Sequence, residues 1–174
     1  KRVFLDDVVA GDRVLIAGAG RGSDALAAAR AGARVVAVDR SPQMIARLRA
    51  RAKREALVIE CVEADITQPP DAGTYDHVVA HYFLNCFAEA EAAWMLDVLA
   101  RYVAPSGRLH LADFAPATGG PIARAVTGLY YGIVNRAGWA LGLCAIHPIP
   151  DWREALRRRG FEVERVERLP LGPG

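Results

Sequence analysis

The sequence predicts an α/β fold in which helices cover both faces of a mainly parallel sheet. Short apolar runs alternate with helix-like stretches along most of the chain, a glycine cluster follows the first run, and an aspartate ends the second. The chain has 174 residues, of which 52% are hydrophobic and 24% charged. This composition suits one domain with its own core, so we predict a single domain over residues 1–174.

The first predicted unit is strand, helix, strand. Residues 14–17 form a continuous apolar run that ends at a glycine cluster, and residues 34–38 form a second run that ends at Asp39. Continuous apolar runs are typical of strands buried on both faces. The alanine-rich stretch 23–31 lies between them and stops at Gly32, as a helix with a glycine C-terminal signal does.

The later elements continue the alternation. Ser41 followed by Pro42 is typical of a helix start, with an N-cap residue before a proline in the first turn. Helices are predicted at 41–56, 89–102 and 151–160, strands at 57–62, 76–80 and 108–114, and an edge strand at 161–168.

The segment after the fifth predicted strand has an unusual composition. Residues 114–150 contain no acidic residue, two arginines and the paired aromatics Tyr130 and Tyr131. The segment is too long for an ordinary connection. We therefore predict that residues 115–149 form a helical lid or substrate-binding insertion.

The net charge and the positions of the cysteines and histidines argue against several classes of function. Twenty-two basic residues against 20 acidic ones leave little field for nucleic acid, so no nucleic-acid partner is expected. The three cysteines are far apart and form no CxxC motif, which indicates reduced thiols and a cytoplasmic protein. No metal is expected, because no predicted helix carries histidines or cysteines at ligand spacing. We find no signal peptide and no transmembrane stretch.

The strongest motif is a glycine loop with an acidic partner. Gly18, Gly20 and Gly22 lie directly after a buried strand and before a helix, where free backbone N–H groups bind anionic ligands. Asp39 ends the next strand, 19 residues after Gly20, where a carboxylate can accept hydrogen bonds from ribose hydroxyls.

The three motifs GAGRG, VDRSPQMI and EADI together resemble the class I S-adenosylmethionine-dependent methyltransferases of the small-molecule type, including uncharacterised bacterial members. The resemblance extends from about residue 11 to residue 168. It implies a doubly wound, Rossmann-like, mainly parallel sheet with a helical lid inserted after strand 5. It also implies S-adenosyl-L-methionine as the cofactor and S-adenosyl-L-homocysteine as its product.

The resemblance assigns residues to the cofactor. The glycines would line its methionine part, Asp39 would hold the ribose hydroxyls, and His81 would lie near the donor methyl. The adenine would meet Arg40, Met44, Ala64, Asp65 and Ile66.

The resemblance also implies methyl transfer by in-line displacement to small, apolar or amphipathic acceptors, including lipid-like ones. A base is needed only if the acceptor loses a proton. His81 is the first candidate, because imidazole exchanges protons near neutral pH, and Asp113 is the second. Side chains that would shape the acceptor site are Tyr82, Asn85, Tyr130, Tyr131 and His147.

The chain departs from the family pattern at two points. Ala17 stands where the family usually has an acidic residue, and no terminal strand follows residue 168, so truncated ends are expected. Two alternatives stay open: an NAD(P)-dependent oxidoreductase, although Ser23 replaces the small apolar residue of that fingerprint, and a noncatalytic S-adenosylmethionine-binding partner subunit. The acceptor and the oligomeric state are left open.

Overall fold

The computed structural model of the chain describes residues 3–68, 73–113, 120–140 and 152–167. Its strands are Arg13–Ala17 (β1), Arg34–Asp39 (β2), Ile59–Glu63 (β3), Tyr75–His81 (β4) and Val103–Ala112 (β5). Its α-helices are Ser23–Arg30 (α1), Pro42–Arg54 (α2), Glu89–Arg101 (α3), Pro121–Ala140 (α4) and Trp152–Arg157 (α5). Short 3-10 helices lie at Val3–Asp6 and Leu84–Cys86.

The five strands form one sheet in the order β3-β2-β1-β4-β5, and every pairing is parallel. This order confirms the predicted doubly wound, Rossmann-like fold. The chain moves from β1 outward to β3, then returns to β4 on the other side of β1. The switch point between β1 and β4, at the carboxyl ends of the strands, is where open sheets of this kind bind ligands.

Each face of the sheet has its own apolar core. On one face, Leu26 of α1 and Leu48 of α2 pack in one cluster with Ile16 of β1. On the other face, Leu96 of α3 packs in one cluster with Leu15 of β1. Neighbouring residues of β1 point to opposite faces, which explains why the strand reads as a continuous apolar run.

The helix starts follow from local chemistry. Ser41 caps α2, with its Oγ accepting a hydrogen bond from the Met44 N–H at 3.4 Å, and Pro42 occupies the first turn. Helix α1 instead begins after Gly22, whose φ of 75° is left-handed, and it has no side-chain cap. The N-terminus of α1 therefore keeps its donors for other partners.

Strand β5 corrects the sequence prediction, which started this strand at residue 108. Tyr75 pairs with Val103, whereas His77 pairs with Arg108, so Pro105, Ser106 and Gly107 form an irregularity inside the strand. Proline is tolerated in a sheet at such bulges. A Cβ on Gly107 would lie 2.7 Å from the Tyr75 carbonyl oxygen, which explains the glycine.

The predicted edge strand at 161–168 is wrong for residues 161–167, which form no strand; residue 168 lies outside the described residues. Side-chain ion pairs hold this segment instead of ladder hydrogen bonds. Glu164 pairs with Arg108 of β5 at 3.2 Å, and Arg165 pairs with Asp6 at 2.9 Å. Helix α5 is also shorter than the predicted 151–160, and β3 begins two residues later than predicted.

The segment predicted as a lid contains helix α4, which accounts for residues 121–140 of the predicted 115–149. That this helix covers an acceptor site stays a prediction. Residues 114–119 and 141–150 lie outside the described residues, and His147 is among them. In the described part of the chain, no helix has both the length and the apolar character needed to span a bilayer.

Candidate active site

The glycine loop lies between β1 and α1, and its three glycines serve different purposes. All have positive φ: 66° at Gly18, 51° at Gly20 and 75° at Gly22. A Cβ on Gly18 would lie 2.5 Å from Cδ2 of Phe83, and one on Gly22 would collide with Leu48 of α2. A Cβ on Gly20 would meet nothing nearer than 3.9 Å. The loop therefore offers open space for a ligand at Gly20.

Asp39 joins the glycine loop to the start of α2. The Gly20 N–H donates to Asp39 Oδ2 at 2.7 Å, and the Ser41 N–H donates to Asp39 Oδ1 at 2.8 Å. The structure thus places Gly20 and Asp39 in contact, a bond that the sequence analysis did not predict. Each carboxylate oxygen has a second acceptor direction, so Asp39 can still accept hydrogen bonds from a ligand.

The loop after β3 lies beside the end of β2, since the Ala64 N–H donates to the Asp39 carbonyl at 3.2 Å. Asp65 Oδ1 accepts hydrogen bonds from the Thr67 N–H at 3.0 Å and the Thr67 hydroxyl at 2.8 Å. The backbone bond from Thr67 is the main reason why the pKa of Asp65 is lowered, and Arg40, 3.7 Å away, lowers it further. Asp65 is thus a turn-forming residue with an ionised carboxylate.

Two further residues assigned to the adenine have local roles. Ile66 is buried, and its carbonyl oxygen accepts a hydrogen bond from the Tyr102 hydroxyl at 2.9 Å. Burial raises the pKa of Tyr102, which keeps this hydroxyl a donor. Met44 is half-buried in the first turn of α2.

His81 ends β4 and pairs with a residue that the sequence analysis did not single out. Its Nδ1 lies 3.0 Å from Asp24 Oδ2 in the first turn of α1, and its side chain is 8% exposed. The ring meets Phe4 edge-on, with 5.5 Å between centroids. Because the carboxylate accepts, the Nδ1 of His81 carries the proton and a neutral ring has its lone pair on Nε2.

The chain turns sharply after β4. Tyr82 has a φ of 54°, which is uncommon for a bulky residue, and its N–H donates to the Ala112 carbonyl at 2.6 Å. This turn brings Phe83 onto Gly18, where the Phe83 ring also packs edge-on against Phe87 at 5.2 Å. Phe83 is therefore an aromatic neighbour of the glycine loop, and the sequence analysis did not single it out.

The other candidate residues are more scattered. Asp113 directly follows β5, next to Ala112, which pairs with His81 in the sheet. Asn85 lies in the 3-10 helix after β4. On α4, Tyr131 is buried whereas Tyr130 is 49% exposed, so the two tyrosines do not share one environment.

The sequence analysis also missed a pair of contacting histidines, His77 and His110. His77 Nε2 lies 3.1 Å from Asp12 Oδ2, and His77 Nδ1 lies 3.0 Å from His110 Nε2. Burial, followed by the neighbouring His77, lowers the pKa of His110 to about 4. The sequence feature that could have pointed to His77 is the alternation of side chains along β4, which places His77 on the same face of the sheet as His81. Within the described ranges, no group of three or more His, Cys, Asp or Glu side chains is arranged to hold a metal ion.

A family model described as a methyltransferase domain matches residues 14–107, from β1 to the irregularity in β5. The match covers more than half of the chain and includes the glycine loop, Asp39 and His81. The chain belongs to this methyltransferase family. Its sheet order is that of a class I methyltransferase domain.

Curated relatives agree with this assignment. The chain is 37% identical over 108 residues to demethylmenaquinone methyltransferase of Clavibacter sepedonicus, an alignment that covers 62% of this chain and 43% of the relative. It is 37% identical over 86 residues to the protein of the same name from Thermus thermophilus, covering 49% of this chain and 38% of the relative. The chain thus spans about two fifths of the length of these relatives.

A solved structure extends the likeness over nearly the whole chain. Magnesium protoporphyrin IX methyltransferase from Synechocystis PCC 6803, crystallised with bound S-adenosylhomocysteine, superposes with a TM-score of 0.69 at 27% identity. The superposition covers 94% of this chain and 69% of that protein.

Proposed function

We propose that this domain binds S-adenosylmethionine at the carboxyl ends of β1 and β2 and transfers its methyl group to a small, apolar or amphipathic acceptor. The contact between Gly20 and Asp39 carries the proposal, because it forms a preorganised site at the carboxyl ends of two neighbouring strands, β1 and β2, of a methyltransferase-family sheet. The bound S-adenosylhomocysteine of the Synechocystis protein supports the choice of cofactor.

The described residues fit this cofactor. Gly20 has open space above it, Asp39 keeps acceptor capacity for hydroxyl groups, and the N-terminus of α1 has no side-chain cap and suits a carboxylate. Ala17 is buried and supplies no charge to the site. Phe83 and Leu48 occupy the space beside Gly18 and Gly22, so we propose that these two glycines contact the cofactor through their backbone atoms. The proposed cofactor-binding set is Gly18, Gly20, Gly22, Asp39, Arg40, Met44, Ala64, Asp65, Ile66 and His81.

Once bound, S-adenosylmethionine supplies an already activated methyl group, so the chain's residues mainly hold the reacting groups in line and exclude water. Alignment of this kind contributes up to about 7 to 11 kcal/mol. Where the acceptor must lose a proton, His81 takes it at Nε2, and Asp24 holds the ring in that tautomer. Asp113 is the second candidate base, at the end of the neighbouring strand.

The acceptor is proposed to be apolar and quinone-like. Two relatives are named demethylmenaquinone methyltransferases, and residues 114–150 of this chain contain no acidic residue. An apolar wall free of carboxylates favours an uncharged acceptor ring. Residues proposed to contact the acceptor are Tyr82, Asn85, Tyr130, Tyr131 and His147.

Transfer of radiolabelled methyl from S-adenosylmethionine to a reduced naphthoquinone and to a bacterial extract tests this proposal. We expect label in the organic phase with the wild type, and its loss with Asp39→Asn. Glu63→Gln is the matched control, because Glu63 is exposed and lies opposite Asp39 in the β2–β3 register. Label confined to the aqueous phase, or equal labelling by both variants, would contradict the proposal.

A further inference from the structure

Helix α2 concentrates positive charge. Its 13 residues hold five basic side chains and no acidic one: Arg47, Arg49, Arg51, Lys53 and Arg54. The rest of the chain has 17 basic residues against 20 acidic ones, a net charge of −3. The positive net charge of the whole chain therefore comes from this helix.

Several of these residues line one open depression of about 530 Å³ beside the glycine loop, which is called the basic cavity below. Arg47, Arg51 and Arg54 follow the spacing of one helical face, while Arg21 of the glycine loop forms the facing wall. A guanidinium N–H of Arg51 donates to the Arg21 carbonyl and joins the two walls. The basic cavity is lined by Arg21, Arg47, Ala50, Arg51, Lys53 and Arg54.

The cations of the basic cavity have no carboxylate partner within 4 Å among the residues that the structure describes, whereas other arginines nearby are paired. Arg30 pairs with Glu55, and Arg40 lies 3.7 Å from Asp65. Like charges at helical spacing repel one another. The unbalanced charge thus opposes folding of the helix and favours binding of an anion.

The chemistry of the lining selects the class of anion. Arginine forks bind phosphate oxygens in pairs, and a group of five cations favours a ligand with several negative charges. The cavity volume lies in the range of small-molecule sites, and its lining has no aromatic side chain on which a nucleic-acid base would stack.

We propose that the basic cavity binds a small polyphosphate anion, with a phosphate chain of three or more groups as the recognised feature. Inorganic polyphosphates and nucleoside triphosphates share this chemistry. The site lies on the outer side of the glycine loop and does not depend on the proposed methyl transfer.

Calorimetric titration with inorganic tripolyphosphate in about 150 mM salt, a physiological ionic strength, tests the proposal. Arg47→Gln/Arg54→Gln removes two exposed cavity charges and spares Arg51, which contacts the loop backbone. We expect about tenfold weaker binding, a loss of ~1.4 kcal/mol for two phosphate contacts. Arg157→Gln/Arg158→Gln, which removes two exposed charges at the end of α5 and directly after it, is the matched control and should bind as the wild type does.

Adenosine triphosphate as a second probe separates the two sources of the ligand. If adenosine triphosphate binds the wild type more tightly than tripolyphosphate does, and if this binding also weakens in Arg47→Gln/Arg54→Gln, the ligand is a nucleotide. If the two probes bind equally, the phosphate chain alone is recognised. Absence of tripolyphosphate binding by the wild type, or equal weakening in both double variants, would overturn the proposal. Binding of a single-stranded RNA 20-mer or of anionic vesicles without tripolyphosphate binding would overturn it as well.

Discussion

At the scale of single residues, the glycine loop shows two different physical reasons for glycine. Gly18 makes room for Phe83, Gly22 makes room for Leu48, and Gly20 faces open space beside Asp39. Only Gly20 therefore keeps its side-chain space for a ligand, whereas the other two hold the loop against its neighbours. Substitutions should separate folding from cofactor binding.

We predict that Gly18→Ala lowers the free energy of unfolding by about 2 to 3 kcal/mol, through left-handed strain and overlap with the Phe83 ring. Gly20→Ala should cost about 1 kcal/mol from strain alone. Urea unfolding measures both values. Relative to Phe83→Ala, the double variant Gly18→Ala/Phe83→Ala should lose no stability from overlap with the ring. Equal losses of stability for Gly18→Ala and Gly20→Ala would refute this division of roles.

His110 is the residue whose titration should matter most for stability. Its pKa is lowered to about 4 in the folded chain, so the folded state binds this proton more weakly than the unfolded state, whose pKa is about 6.5. As the pH falls from about 6.5 to 4, protonation therefore favours the unfolded chain. This cost is absent at neutral pH and complete below pH 4.

We predict that wild-type stability decreases over this pH range by up to ~3 kcal/mol more than that of His110→Gln. The glutamine amide can still donate to His77 Nδ1, which the histidine Nε2 contacts at 3.0 Å. Urea unfolding at pH 7.0 and pH 4.5 gives the two differences. Parallel pH curves for the two proteins would show that His110 does not carry the effect.

At the scale of elements, one arginine adds polar contacts to the apolar packing of α5 against α3. Arg159 follows α5 and donates from Nη2 to Asp97 Oδ2 at 3.1 Å and to the Ala93 carbonyl at 2.9 Å. A second bond from its Nε to Asp97 makes the pair bidentate. This side-chain hydrogen bond is the main cause that lowers the pKa of Asp97. The fork geometry, and not the charge alone, joins the two helices.

Arg159→Lys should therefore destabilise the domain by about 1 kcal/mol, because lysine cannot form the bidentate bond. Arg158→Lys is the matched control: Arg158 is exposed and pairs only at i,i+4 spacing with Glu154 among the interactions described. Its cost should stay below about 0.5 kcal/mol. Thermal and urea unfolding compare the two, and a larger loss for Arg158→Lys would contradict this assignment.

At the scale of the whole molecule, the parallel sheet and its helices were predictable because strands buried on both faces leave continuous apolar runs. Residues 14–17 and 34–38 carry that signal, and Ser41-Pro42 marks the start of α2. The positions of the glycine loop and of Asp39 at the ends of neighbouring strands were also predictable, whereas the hydrogen bond between them was not.

What the sequence did not predict depends on contacts between distant segments. The Asp24–His81 pair joins residues 57 positions apart, and the Phe83 ring reaches Gly18 only because Tyr82 adopts a left-handed conformation. The alternation at 161–168 resembled a strand, but ion pairs to Arg108 and Asp6 fix that segment instead. Local periodicity carries no information about such partners.

Calorimetric titration with S-adenosylhomocysteine tests the central claim most directly, using the wild type, Asp39→Asn and Glu63→Gln. We predict binding by the wild type and by Glu63→Gln, with at least tenfold weaker binding by Asp39→Asn, because a charged acceptor bonded to the glycine loop is lost. No binding by a well-folded wild type, or binding unchanged by Asp39→Asn, would contradict the assignment of the cofactor site to the Gly20–Asp39 contact.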